Sequence, residues 1–284
     1  MGILFALTAM FSWGLGDFLI QKSARKFGDW IALFYITAFS SIVLFPFIYK
    51  DLINSLNGHS ILLFTAGFVI LVAALLDFEA LRVGKISIIE PIYALEIMVV
   101  VFLSTFIARE QLSFMQIFLV ALSMLGIVLL TTKSFSHFKG IRLEKGIWYA
   151  IFGTICMGSA NFLFGIGARE TNPLIINWFT SIFIATIASV YLVYNSKFKE
   201  VAKDFKENKR LIFNVSFFDN LAWVTFSFAT LYIPIAVATS ISEGYIAFAS
   251  FLGLIFNKEK LRYHQVLGFF ISFISIILIS IITE

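Results

Sequence analysis

The chain has 284 residues, 60% hydrophobic and only 13% Asp, Glu, Lys or Arg, whereas a water-soluble domain carries about 25% charged residues. That balance excludes a soluble globular fold, and the single Cys156 excludes a disulfide framework or a multi-cysteine metal site. The formal charge of +4 lies in short links between apolar runs and leaves no basic domain for nucleic acid.

A spanning helix needs about 20 mainly apolar residues, because the hydrocarbon layer is about 30 Å thick and a helix rises about 1.5 Å per residue. Ten runs of that length follow one another, so the expected fold is an all-α integral membrane protein with ten transmembrane helices. The first two cover about 3–21 and 31–49, separated by Lys22, Arg25 and Lys26, with Asp29 as N-cap of the second. Met1 runs straight into helix one without a basic leader or cleavage site, so this run reads as a mature helix. Helix three, about 60–81, follows Asn57-Gly58; helices four and five cover about 86–108 and 113–131. A polar, basic link at 132–145 precedes helix six, about 146–168, and helix seven, about 173–195, which Asn172-Pro173 opens as cap and first position. The longest polar stretch, Asn195 to Arg210, leads to helices eight, nine and ten at about 211–231, 235–257 and 263–283.

The halves repeat. At an offset of 144, Gly14-Leu15-Gly16-Asp17-Phe18 matches Gly158-Ser159-Ala160-Asn161-Phe162, and Ala24-Arg25 matches Ala168-Arg169. At an offset of 149, Arg109-Glu110-Gln111-Leu112 matches Lys258-Glu259-Lys260-Leu261, and Gln116 matches Gln265. The expected organisation is a first five-helix repeat at 1–131, a linker at 132–145 and a second repeat at 146–284. Five spans per unit make the second unit enter the membrane from the opposite side, the inverted arrangement of many secondary transporters.

Five plus five helices, Trp13-Gly14 with Asp17-Phe18 beyond it, and Glu110 and Glu259 at the four–five and nine–ten links resemble EamA-type members of the drug/metabolite transporter superfamily. The family's link reads Gly-Glu, whereas Arg109 or Lys258 precedes the glutamate here. The resemblance implies that helices one, three, four, six, eight and nine surround a cavity and that five and ten brace it. It also implies secondary transport of metabolites, often amino-acid-like solutes or nucleotide precursors.

Of the 21 basic residues, 18 fall on the odd-numbered links, leaving Lys50, Arg109 and Arg169 on the other side. The positive-inside rule places the odd links in the cytoplasm and both termini outside, opposite to the orientation the resemblance implies.

A charge at the bilayer centre costs at least about 2.5–3.5 kcal/mol, so intramembrane acids are functional candidates. Glu96 falls near the middle of helix four; Asp219 and Glu243 lie about eight residues into helices eight and nine. Asp17, Asp77 and Glu90 lie near the basic-side ends of their helices, where they can ring one mouth. The plainer reading of Asp77, Glu79 and Glu90 is contact with headgroups or with Arg82. No Lys or Arg shares the depth of Glu96, Asp219 or Glu243, which favours a cationic or zwitterionic solute, or a proton, over a phosphate or dicarboxylate. Trp13, Tyr93, Asn161, Trp223 and Tyr245 come from the helices that the resemblance places round the cavity, although any single aromatic equally suits ordinary packing. Trp30, Trp148 and Trp178 read as interface anchors. Pro91 is expected to kink helix four, and its counterpart Ser240 predicts no matching kink in helix nine.

No catalytic, metal or cofactor motif appears, and the scattered His59, His137 and His264 form no ligand set. The expectation is a solute carrier in the cell membrane, monomeric or homodimeric, its partners a small molecule, lipid and protons; a membrane-embedded enzyme and a channel or receptor are the alternatives. In a Cys156→Ser background, single cysteines placed between Lys197 and Arg210 are expected to be shielded from an impermeant maleimide on intact cells, while a cysteine at 109 reacts. The reverse pattern contradicts the orientation read from charge.

Overall fold

The computed structural model describes residues 1–83, 89, 92–132, 146–248 and 261–283, apart from the side chains of 17, 18, 21, 25, 81 and 82. Ten helices are found among them: α1 (Gly2–Phe27), α2 (Asp29–Ile48), α3 (Leu52–Val83), α4 (Glu96–Phe106), α5 (Phe114–Thr131), α6 (Ile147–Glu170), α7 (Pro173–Tyr194), α8 (Phe198–Ala229), α9 (Ile235–Ser242) and α10 (Tyr263–Thr283). Among the described residues, seven are long and apolar enough to cross a membrane: α2, α3, α5, α6, α7, α8 and α10. The apolar stretches of α1, α4 and α9 are shorter. Ile61, Phe106 and Phe114 are each at least 70% exposed, the outward apolar surface of a protein solvated by lipid. The chain is a multi-pass all-α membrane protein.

Several boundaries differ from those expected. The basic group Lys22 to Lys26 lies within α1, which continues to Phe27, and Gly28 (φ 82°) rather than Asp29 precedes α2. Gly28 accommodates the left-handed turn that an aspartate would resist. Helices three and eight start earlier, as bent lead-ins. α3 carries a non-helical residue at His59 (φ −130°, ψ 22°) and α8 one at Asn208 (φ −129°, ψ 28°), 149 residues apart with matching dihedrals. As expected, Asn172 caps α7, its side chain accepting from Leu174 N, with Pro173 next in line. Trp178 is no free interface anchor: its Nε1 donates to Ser41 O at 2.9 Å, fastening α7 to α2. Trp30 stacks on Tyr191 at 4.2 Å.

The helix contacts are pseudo-symmetric. α1 lies along α8 as α3 lies along α6, α1 meets α9 as α6 meets α4, and α2–α7, α4–α9 and α5–α10 pair between the halves. Exchanging α1–α5 with α6–α10 maps this set onto itself.

The α5–α10 pair shows what allows so close a crossing. Gln116 closes a capping box with Ser113 at the start of α5 and reaches Thr283 Oγ1 at 3.2 Å. Gln265 accepts from Arg262 N and reaches back to Leu130 O at 2.9 Å. Each glutamine thus caps its own helix and ties the far end of the other. Midway, a Cβ on Gly126 would lie 2.5 Å from Ser272 N, and one on Gly268 would lie 2.6 Å from Gly126 O. Small residues let the two backbones touch, the usual means of helix association where lipid supplies no hydrophobic drive. Gly126→Val is therefore expected to destabilise the detergent-solubilised protein by about 1–3 kcal/mol or more. Gly58→Ala, with no atom within 4 Å of the new Cβ, should be neutral or stabilising in the same thermal-denaturation assay.

Candidate functional site

The polar centre is built at two helix breaks. Before α4, Leu95 N bonds to Ile92 O at 3.0 Å; after α9, Gly244 N bonds to Ile241 O at 3.1 Å. Both are tight i to i+3 bonds, and donor and acceptor are each displaced by 149 residues between the halves. Such bonds satisfy groups that an interrupted helix would leave open. Glu96 is the first residue of α4, and Glu243 directly follows Ser242, the last of α9. The acids therefore stand at interruptions, not within continuous helices, and the interruption in helix nine corrects the expectation of a one-sided kink. Pro91 and Glu90 lie outside the described residues. In helix nine the break falls at Gly244, where a Cβ would press on the side chain of Ile276, on Ile241 O at 2.9 Å and on Met10 Sδ at 3.0 Å.

Two further glycines bring neighbouring helices up to these breaks. A Cβ on Gly14 of α1 would lie 2.6 Å from Phe248 Cδ1 and 3.5 Å from Tyr245 O. One on Gly158 of α6 would lie 2.7 Å from Val99 Cβ and 3.0 Å from Glu96 O. The glycines are repeat counterparts at 144, and the residues they meet are counterparts at 149.

Glu96, Glu243 and Asn161 are buried, with exposures of 6%, 5% and 2%. Asn161 Nδ2, on α6, donates to Glu96 Oε1. Asn161 Oδ1 is buried with no hydrogen-bond partner among the described residues. Glu243 and Asp77 both lie close enough to Glu96 to act on it electrostatically. Asp77 is thus drawn inward, against the reading that sent it to headgroups or to Arg82, whose side chain is outside the description. The cause is the helix packing: α3 runs along α6, and Asp77 fills the space that a side chain at Gly153 would take. Its neighbour Tyr93 donates from Oη to Asp77 O at 3.1 Å, so Tyr93 fastens the start of helix four to α3.

Aromatic groups form the facing wall. Trp13 meets Trp223 edge-on at 5.2 Å, Phe226 at 5.8 Å and Tyr245 at 6.3 Å, and Phe164 meets Trp223 at 4.5 Å. Phe164 is three residues from Asn161, on the same face of α6, which sets this wall beside the amide. Half-buried Asp219 precedes Trp223 by one turn and lies beside Gly16. Asn220 turns away, donating to Ile36 O at 3.0 Å. Asp17 lies on α1, its side chain outside the described residues. Chemically, the centre combines carboxylates, an amide oxygen and aromatic faces, suited to a cation or to mobile protons.

The link between α4 and α5 is held to the end of α6 by a clasp that the sequence pattern does not reveal. Arg169 Nη1 pairs with Glu110 Oε1 at 2.6 Å, and its other nitrogens donate to Thr230 O and Ile233 O at 2.7 and 3.1 Å. Glu110 caps α9 by accepting from Ile235 N at 3.0 Å. Beside the clasp lies a cavity of about 280 Å³, lined by Glu110, Gln111, Arg169 and Leu231 to Pro234. Arg109 turns the chain into this clasp with φ 54°.

Fold and site together define a multi-pass helical membrane protein with pseudo-symmetric halves and a polar centre at paired helix breaks. The model of the EamA-like transporter family matches residues 1–132 and again 144–281. The chain belongs to that family, whose members are generally transporters rather than enzymes. No curated protein matches. Among solved structures, one described only as the crystal structure of a protein superposes with a TM-score of 0.75 over 99% of this chain and 97% of its own, at 11% identity, a likeness of fold.

The left-handed Arg109 also accounts for the glycine at this place in the family's link, since a residue with a side chain pays about 1–2 kcal/mol there and glycine does not. Arg109→Gly is expected to stabilise the protein by about 0.5–1 kcal/mol in thermal denaturation, part of the gain being lost to glycine's freedom when unfolded. A loss of stability would show that the Arg109 side chain holds the link.

Proposed function

We propose that this chain is a secondary transporter that moves a small cationic or zwitterionic, amino-acid-like metabolite by alternating access. In this reading ten helices span the membrane as two inverted five-helix units, 1–131 and 146–284, joined by 132–145. The observation that carries the proposal is the pair of buried acids, Glu96 and Glu243, each at a helix break displaced by 149 residues from the other. Broken helices at a repeat interface are where transporters of this build hold their substrates. Trp13, Trp223 and Tyr245 offer aromatic faces to the organic part of the solute, and Asn161 offers an amide oxygen. Asp77 and Asp219 complete the acidic lining; Asp17 is the counterpart of Asn161 in the other half.

Like charges at close range resist simultaneous ionisation, so the two glutamates share one proton that leaves when the solute's positive group arrives. The Glu110–Arg169 clasp holds α9 in one of the two states. Its counterparts by sequence are Glu259 and Arg25, and opening the Glu110–Arg169 clasp releases α9 to change access. The basic link from Lys197 to Arg210 faces the cytoplasm and both termini lie outside. One chain contains both units, so a monomer suffices.

Proteoliposomes test this with labelled amino acids and organic amines. Wild type should show saturable counterflow and should accumulate solute under an imposed pH gradient. Glu243→Gln keeps volume and hydrogen bonding but removes the proton; it should retain exchange and lose pH-driven accumulation. Unchanged binding, exchange and pH response in both Glu243→Gln and Glu96→Gln would remove the pair from the mechanism.

A further inference from the structure

The lead-in of α8, residues 198–207, is an amphipathic helix bent away from the spanning part at Asn208. Helical spacing sorts its side chains into three stripes. Phe198, Val201, Ala202 and Phe205 form an apolar stripe, Lys199, Lys203 and Lys206 a basic one beside it, and Glu200, Asp204 and Glu207 an acidic one beyond. Val201 is buried against α2, where Tyr35 Oη donates to its carbonyl at 2.5 Å. Phe198 and Phe205, however, remain 44% and 50% exposed. Of the three acids only Asp204 is half-buried, with Lys26 of α1 acting on it and donating to Asn208 Oδ1 at 2.5 Å, while Glu200 and Glu207 are exposed across the helix from the phenylalanines. The basic stripe is exposed, and Arg210, just past the bend, is exposed as well.

The other half supplies an internal control. The lead-in of α3 bends at His59 with the same dihedrals, 149 residues earlier. The counterparts of Lys199, Lys203, Lys206 and Arg210 there are Lys50, Asn54, Asn57 and Ile61. The bend therefore forms without the basic stripe, so folding does not explain the charge.

We propose that residues 198–210 form an interfacial helix whose basic stripe binds anionic phospholipid headgroups while Phe198 and Phe205 enter the acyl boundary. Cations flanking an exposed apolar face match the negative surface of a bilayer, and the exposed Glu200 and Glu207, across the helix from Phe198 and Phe205, weaken that attraction without removing it. This inference is independent of any transported solute.

The test compares phosphatidylglycerol with phosphatidylcholine added to the detergent-solubilised protein, reading retained lipid by native mass spectrometry and the thermal midpoint. Wild type should retain phosphatidylglycerol preferentially, rise in midpoint with it, and lose both effects as salt is raised. The quadruple variant K199Q/K203N/K206N/R210Q should keep its midpoint in phosphatidylcholine and lose at least about tenfold in phosphatidylglycerol affinity, each basic residue being worth about 1 kcal/mol near an anionic surface. Phe198→Ser with Phe205→Ser should weaken binding as well, which a soluble phosphate ligand would not require. Equal retention of both lipids by wild type, an unchanged preference in the quadruple variant, or equal binding of soluble glycerol phosphate would overturn the proposal. Should the quadruple variant fail to fold, E200Q/E207Q must bind phosphatidylglycerol more tightly than wild type, and no gain there overturns it equally.

Discussion

A hydrocarbon layer offers no hydrogen bond to an interrupted backbone and penalises a carboxylate by several kcal/mol. This chain contains both kinds of group, at the same two places. The breaks before α4 and after α9 are tolerable because they are buried against other helices and their groups close tight local bonds. That requirement explains much of the surrounding sequence. Gly14 and Gly158 let α1 and α6 approach the breaks to backbone distance, Gly244 makes room for α10 and α1, and Asn161 donates to the acid that burial would otherwise strand. The α5–α10 pair, tied at both ends by Gln116 and Gln265, packs outside as a brace.

The scaffold is symmetric where its lining is not. Equivalent positions carry Glu96 and Tyr245, Ala94 and Glu243, Asp77 and Phe226, Asp17 and Asn161. Consequently Glu96, Asn161 and Asp77 gather where α3, α6 and the start of α4 meet, while Trp13, Trp223 and Phe226 gather between α1 and α8. The tight turns beside α4 and α9 thus match in position between the halves, while the residues at matched positions differ. The same contrast recurs at the bent lead-ins, where one backbone geometry carries a basic stripe in one half and an almost neutral one in the other.

Much of this was legible in the residues. Spanning runs and turn signals located the helices, and the 149 offset read from Glu110–Glu259 and Gln116–Gln265 also relates the bends at His59 and Asn208. Glu96 and Glu243 stand out in the sequence by their depth, whereas Trp13, Trp223 and Tyr245 stand out only through the helices that the family resemblance places round a cavity. What escaped was anything set by packing between distant helices. Asp77 lies near a helix end by sequence, and only the α3–α6 contact draws it inward. The break at Gly244 escaped because it has no proline. The Glu110–Arg169 clasp escaped because Glu110 stood out only as a link motif and Arg169 only as a repeat match, and nothing local states that Glu110 caps α9.

The central claim is that Glu96 and Glu243 form one site with a single shared proton. Hydrophobic carbodiimides modify protonated carboxyls within the membrane, and mass spectrometry locates the adduct. At neutral pH the account predicts one adduct per chain, on Glu96 or Glu243, because removing one ionisable group frees the other to ionise. An excess of a bound organic amine should suppress it. Reaction at neither residue, or at both in the same molecule, would contradict the account.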